Sequence, residues 1–324
     1  MEGEFLYGIN TIFSLLDTNS GKRKIFEIIL NSGKLNSLRL KEILSKAKRK
    51  NIHTRELESK RFAGFAADRF YQEEIESTQG VIAHVSNYSF KDFEQIAVKN
   101  LNYGSVFVIL DEITDVGNFG AILRNCSAFG VAGVIISKNR SVEVNRRVSK
   151  ISSGALEEIN LYKVTNISRA IEELKEKGFW IYGTTLQSKL TVKLAHQVDF
   201  TFPMAVVLGS EDKGIGRLIE EKCDVIVRID MPGVMQSLNV ATAAGVMLYI
   251  ITQHHKSRIL DDRVILKWKT ENKSSASSYI RQQRLCGSVG PPAANLPLPN
   301  AAMVCRLSGG KVFYHCVTSH TRER

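Results

Sequence analysis

From Ser105 to about residue 253 the chain repeats one rhythm: a short apolar run, a polar or glycine-bearing loop, then a helical pattern. The apolar runs are SVFVIL, GVIIS, NLYKV, FWIYGTT, MAVVLG and DVIVRI. Helical patterns fall at GAILRNCSAF, at about 145–156, at about 168–177 and at RLIEEKC, and SLNVATAAGVMLYIITQ closes the series. Apolar runs this short, without polar alternation, suit strands buried on both faces. A helix between successive strands makes them parallel. The rhythm therefore predicts an α/β domain on a parallel sheet, with ligand-binding loops beyond the carboxyl ends of its strands, at 111–120, 184–188, 209–216 and 230–237.

Upstream, Ile9, Ile12, Phe13, Leu15 and Leu16 space out one helix face, IFEIIL reads as a strand, LRLKEILSKAKRK as a basic helix, and GVIAHV as a strand after a turn at Gln79-Gly80. The predicted organisation is a small α/β domain over 1–93, a linker over 94–104, the parallel-sheet domain over 105–258, and a tail over 259–324. The tail clusters Ser, Gly and Pro without a period, so it is expected to lack regular structure. It is either a basic RNA-contacting arm or an appended extension. Of the net charge of +11, residues 1–100 carry +3, 101–258 carry +2 and 259–324 carry +6. Overall basicity thus says little about partners, and local patches must carry that inference. Two candidates are GKRK at 21–24 and the basic helix, each of which serves equally as a phosphate-binding face or a solvated surface.

Five cysteines, without a CxxC pair or metal-ligand spacing, suit a reduced, cytoplasmic protein with no metal. The N-terminus MEGEFLYGIN has neither a basic nor an apolar leader region. The longest apolar stretch, Val240 to Ile251, is too short to span a bilayer, so no membrane role is expected. Its small residues suit a buried helix at a core or subunit contact.

No dinucleotide fingerprint, nucleotide phosphate loop, nucleophile elbow or HExxH zinc motif is present. Three polar loops remain: Asn118 with Arg124, LGSEDKGIG with Glu211, and QSLNV with Ser237 and Asn239. Singly, each has a structural explanation: Asn118 and Ser237 as helix caps, Glu211 as an acceptor for loop amides. Arg124, on a helix otherwise of Ala, Ile, Leu, Cys and Phe, needs a route to solvent or an anionic partner. Convergence of all three loops at one edge of the sheet would mark a site.

Together the loops resemble the SpoU family of RNA 2′-O-ribose methyltransferases. Its first motif matches Asp115, Asn118, Gly120, Ala121, Arg124, Phe129 and Gly130. The second matches Leu208, Gly209, Glu211 and Gly214, and the third matches Ser237, Leu238, Asn239 and Val240. The likeness covers about 105–255, and the N-terminal unit resembles the family's L30e-like RNA-binding domain. Within the family it is closest to the RlmB type, which methylates a 23S rRNA guanosine. Val116 stands where the family has proline, Thr78 where a histidine precedes the QG turn, and IDMPGV where I-P-M-x-G is common.

The resemblance implies a trefoil-knotted parallel-sheet domain, a homodimer, and S-adenosylmethionine held near Thr184, Leu208, Gly209, Ile229, Met231 and Leu238. It implies a 23S rRNA substrate; tRNA, or a silent RNA-binding assembly role, are the alternatives. It also implies roles for five polar residues. Arg124 would grip the target phosphate, because a guanidinium holds its protons too tightly to act alone as a base. Asn118 and Asn239 would orient loop and ribose, Glu211 would hold the arginine or loop amides, and Ser237 would anchor the last helix or touch substrate.

Overall fold

The computed structural model describes residues 3–18, 22–96, 105–186, 190–211, 213–235 and 237–256, with two strands at 303–308 and 311–316. At the N-terminus β1 (Glu4–Tyr7), α1 (Ile9–Thr18), β2 (Ile25–Asn31), α2 (Leu38–Arg49), β3 (Thr54–Leu57), α3 (Ser59–Ala67), α4 (Gln72–Glu76) and β4 (Val81–Val85) build a sheet ordered β1-β4-β2-β3. The first strand, third strand and short helices α3 and α4 escape the sequence patterns, being four to nine residues long. The turn at Gln79-Gly80 forms with both residues at positive φ, and the Gln79 side chain accepts a hydrogen bond from the backbone N–H of Ile9 at the start of α1. Thr78 is buried and its hydroxyl donates to the Ile75 carbonyl.

The second sheet contains β5 (Val106–Leu110), β6 (Gly133–Ser137), β7 (Leu161–Val164), β8 (Trp180–Thr184), β9 (Val192–Leu194), β10 (Met204–Leu208) and β11 (Val225–Arg228). All neighbouring pairs are parallel, in the order β7-β6-β5-β10-β8-β11-β9. Its helices are α5 (Val116–Ala128), α6 (Arg146–Ile151), α7 (Ala155–Glu158), α8 (Ile167–Glu176), α9 (Arg217–Glu220) and α10 (240–256). Consecutive residues of β5 pack into opposite layers. Val108 and Leu110 meet Phe119, Ile122 and Leu123 of α5 and Met247 and Leu248 of α10, while Phe107 and Ile109 meet Ile171 and Leu174 of α8. The sheet grows outward from β5 on one side, through β6 and β7, and returns on the other through β10 and β8. The crevice between β5 and β10 is therefore the topological switch point, where ligands of such sheets bind.

The single helix expected over 145–156 is two helices. Between them Ser153 and Gly154 take positive φ. A Cβ on Gly154 would lie 2.4 Å from the Ser14 hydroxyl, so the break lets α1 approach closely. Residues 91–96, placed by sequence at a domain junction, already belong to the second sheet: the Lys91 N–H donates to Leu161, and Ile96 is buried beneath α8. Most of the expected linker lies outside the described residues.

The GKRK patch is not an open phosphate-binding face. Lys22 and Arg23 are each 2% exposed and bind the second sheet's helix α7. The Lys22 ammonium donates to the carbonyls of Glu157 and Glu158, at 2.9 and 2.7 Å. Burial pushes it down to about 8. Arg23 pairs with Glu157 at 3.1 Å and also with Glu4, and donates to the Ser86 carbonyl. Burial pushes the Glu157 carboxyl up, opposed by Arg23. Nearby, Glu74 of α4 accepts from Tyr7 and from Arg146 of α6. Residues 1–263 accordingly form one compact unit. On α2, by contrast, Lys41, Lys48 and Arg49 are exposed.

The unit over 264–324 is described only in β12 (Met303–Ser308) and β13 (Lys311–Cys316), an antiparallel hairpin where composition predicts no regular structure. The remainder of that expected tail lies outside the described residues. Among the described residues no helix is long and apolar enough to cross a membrane, and no three His, Cys, Asp or Glu side chains gather as a metal-holding group.

Candidate active site

The loop after β5 turns into α5 through Asp115, whose carboxylate accepts the Asn118 backbone N–H at 2.6 Å. Asp115, not Asn118, is thus the cap. Val116 occupies the first helical position, where proline is favoured, and the cap starts the helix without it. Gly120 lies against α6: a Cβ there would stand 2.6 Å from Ile151 Cγ2. The loop after β10 folds back on itself through Ser210 and Gly214. A Cβ on Gly209 would fall 2.0 Å from the Gly214 carbonyl carbon, and Gly214 itself has φ +66, so both glycines are dictated by the backbone. Asp111 secures the loop's far end by accepting the Gly216 N–H at 2.8 Å, and burial pushes its carboxyl up.

One carboxylate oxygen joins the three motifs. Glu211 Oε1 accepts Asn118 Nδ2 at 3.1 Å, Asn239 Nδ2 at 2.5 Å and the backbone N–H of Val240 at 3.1 Å. Asn239 Nδ2 also donates to Asn118 Oδ1 at 2.8 Å. Asn239 Oδ1 accepts the N–H groups of Ala241 and Thr242, so Asn239 caps α10 where the sequence offered Ser237. Residues 93 and 121 positions from Asn118 therefore meet at its amide. Glu211 binds amides and not Arg124. Arg124 is exposed on α5, without an ion pair or hydrogen bond among the described residues; the helix gives it a solvent route and leaves it available.

Beside this cluster opens a cavity of about 800 Å³ over the carboxyl ends of β8, β10 and β11. Thr184, Leu208, Gly209, Ile229, Met231 and Leu238 all line it, with Glu211 and Ser237 at the polar side; Asn118, Asn239 and Arg124 do not. Sequence reading missed Arg228, Lys213, Ala243 and Met247 on the same wall. The helix pattern of 237–253 was the available signal for the last two. The Thr184 hydroxyl donates to the Val207 carbonyl, tying β8 to β10 below the cavity floor. Asp230, in the stretch that departs from the family pattern, is exposed, while its neighbours Ile229 and Met231 face the cavity. A cavity lined by both apolar and polar side chains, with a glycine cradle and the charges of Glu211, Lys213 and Arg228, suits a nucleoside joined to a short charged tail.

The model of the SpoU rRNA Methylase family matches residues 105–249. The TrmH-family tRNA/rRNA methyltransferase YacO of Bacillus subtilis is 40% identical over 173 residues, which cover 53% of this chain and 68% of that protein. An uncharacterised tRNA/rRNA methyltransferase of Synechocystis is 32% identical over 250 residues, covering 76% of this chain and 62% of that one. Among solved structures, the SpoU methyltransferase AviRb of Streptomyces viridochromogenes, in complex with AdoMet, superposes with a TM-score of 0.62 at 21% identity, covering 79% of this chain and 91% of that one. The parallel sheet and its three converging loops are thus the fold and motif set of a known class of RNA-modifying proteins. The chain belongs to the SpoU/TrmH family of RNA methyltransferases.

Proposed function

We propose that the protein transfers a methyl group from S-adenosylmethionine to the ribose 2′-hydroxyl of an RNA, a guanosine of 23S rRNA. The observation that carries this reading is the meeting of Asn118, Glu211 and Asn239 on one carboxylate oxygen, at the edge of a cavity with a glycine cradle and a mixed apolar and polar lining. The relatives named above, described as tRNA/rRNA methyltransferases, support it.

When bound, S-adenosylmethionine supplies a methyl group already activated by its sulfonium. Thr184, Leu208, Gly209, Ile229, Met231 and Leu238 would hold it, largely through backbone groups and apolar surface. The residues of this chain then have mainly to position the hydroxyl, since holding reactants in attack geometry supplies much of the rate of such a displacement. Glu211, Asn118 and Asn239 spend their hydrogen bonds on one another and on the start of α10, so they act as positioning residues that fix three loops. Arg124 is the group left to touch substrate, gripping a phosphate beside the target ribose. Ser237 lines the cavity within the third motif and is available to the cofactor or the ribose.

The family's trefoil knot, homodimer and RNA-binding N-terminal domain go with this reading. Val234 and Met235, 99% and 73% exposed beside cavity residue Met231, offer apolar surface for a second copy. The deciding experiment incubates the full chain with labelled S-adenosylmethionine and separate rRNA and tRNA pools. Label in 23S rRNA is expected. Label confined to tRNA would transfer the proposal to that substrate, and cofactor binding without labelled RNA would overturn it in favour of a silent RNA-binding protein.

A further inference from the structure

A second cavity, of about 440 Å³, adjoins the first and shares Ser210 and Lys213 with it. Its other lining residues are Glu112, Thr114 and Arg140, so it lies beyond the carboxyl ends of β5, β6 and β10. Glu112, Thr114 and Arg140 belong neither to the three motifs nor to the cofactor cavity, whereas Ser210 and Lys213 are common to both cavities.

Two of those residues are held in a conformation that ordinary side chains rarely adopt. Glu112 has φ 55 and Arg140 has φ 54, both in the left-handed region and neither a glycine. They arrive on loops following different strands, yet Arg140 Nη1 donates to Glu112 Oε1 at 2.6 Å. Two left-handed backbone positions thus bring the pair to the open side of one cavity, where Arg140 is 77% and Glu112 33% exposed and both can be reached by a ligand. The guanidinium holds the Glu112 carboxyl below the usual carboxylate range, so it remains an acceptor. Among the described residues Glu112 Oε2 and the Lys213 ammonium have no hydrogen-bond partner, and both remain for a ligand.

The chemistry of the lining selects among ligands. A phosphate needs donors alone, and a carboxylate in the middle of its site repels it. A carboxylate flanked by two cations and two hydroxyls instead matches the edge of a nucleobase, which mixes donors with acceptors. Guanine alone among the four RNA bases presents two adjacent donors, N1–H and N2–H, next to an acceptor, O6. A carboxylate accepts from the pair while an ammonium or guanidinium donates to O6. Single-stranded RNA is read in this way, with a base turned out of its stack and held by its Watson–Crick edge.

We propose that this cavity receives the base of the nucleotide whose ribose is methylated and selects guanine, with Glu112 accepting from N1–H and N2–H and Lys213 or Arg140 donating to O6. The site adjoins the motif cluster, because Ser210 of its wall precedes Glu211 in the same loop. The proposal rests on the methyl-transfer reading but is tested apart from it.

The test measures binding of GMP, IMP and AMP to the full chain by saturation-transfer NMR, with S-adenosylhomocysteine present. IMP keeps N1–H and O6 but lacks the N2 donor, so the expected order is GMP, then IMP, then AMP. GMP should bind about tenfold or more tightly than AMP. Glu112→Gln should remove that preference while leaving S-adenosylhomocysteine affinity and melting temperature unchanged. Equal binding of the three nucleotides, a preference that survives Glu112→Gln, or inorganic phosphate displacing all three equally would each overturn the proposal. Where the wild-type protein labels RNA, label in any nucleoside other than 2′-O-methylguanosine would overturn it as well. A protein that labels no RNA contradicts the methyl-transfer reading, and the nucleotide titrations still decide whether a guanine site exists.

Discussion

Arg124 is exposed on α5 and pairs with nothing among the described residues, so folding makes no use of its charge. Arg124→Ala should leave stability within about 0.5 kcal/mol of the wild type, as surface changes generally do. The same substitution should lower methyl transfer by about 10²–10³-fold, the cost of losing a positioned donor at a reacting centre. Thermal melts read beside single-turnover rates separate the two effects, and unchanged activity would remove Arg124 from the site. Its apolar surroundings in the sequence present it as an intruder in the core, yet the spacing contradicts this. Phe119, Ile122, Leu123 and Cys126 keep the three-and-four interval of a buried stripe, and Arg124 falls outside it. The capping roles were less legible. Asp115, Asn118, Ser237 and Asn239 are all good cap types. Only the backbone geometry distinguishes Asp115 and Asn239, which cap, from Asn118 and Ser237, which do not.

At the scale of elements, the six apolar runs became strands because a run buried on both faces can hardly be anything else. β9, three residues long, and the break between α6 and α7 stayed hidden. The break answers to α1, more than a hundred residues upstream, and local periodicity carries no trace of so distant a neighbour. Packing of α5 on α6 is what aims the first motif. Gly120→Ala would push a methyl group into Ile151 Cγ2, 2.6 Å away, and toward the Ser152 backbone N–H at 3.2 Å. Ile151 is partly exposed and can yield, but the backbone cannot. The expected outcome is a loss of about 1–3 kcal/mol in urea unfolding. Methyl transfer should fall with it, since Asn118 and Arg124 ride on the displaced helix. A variant with wild-type stability would show that the α5–α6 contact has room to spare.

Across the whole of residues 1–263, charge proved the least readable property. GKRK at 21–24 has the composition of a surface patch, but Lys22 and Arg23 are buried, Lys22 on the carbonyls of Glu157 and Glu158 and Arg23 on the Glu157 carboxylate 134 positions away in the chain. The contact fixes the N-terminal sheet to the helices that back α5, so the two sheets keep a set spacing. Buried ion pairs respond asymmetrically to mutation: removing one partner strands a charge in a dry place, whereas replacing both with apolar groups of similar size leaves no charge to strand. Glu157→Ala should cost about 1–3 kcal/mol, less than a fully stranded charge would, because Arg23 keeps Glu4, the Ser86 carbonyl and the face of the Tyr88 ring as partners. Arg23→Met combined with Glu157→Met should recover part of that loss in chemical denaturation, the rest reflecting Glu4 without Arg23 and buried Lys22 without the Glu157 charge. Limited proteolysis reads the functional side, because an unlocked sheet should expose the junction near residue 90 to cleavage in the single variant but not in the double. Equal destabilisation by both variants would mean that the pair stabilises the junction through its attraction and not through mutual neutralisation.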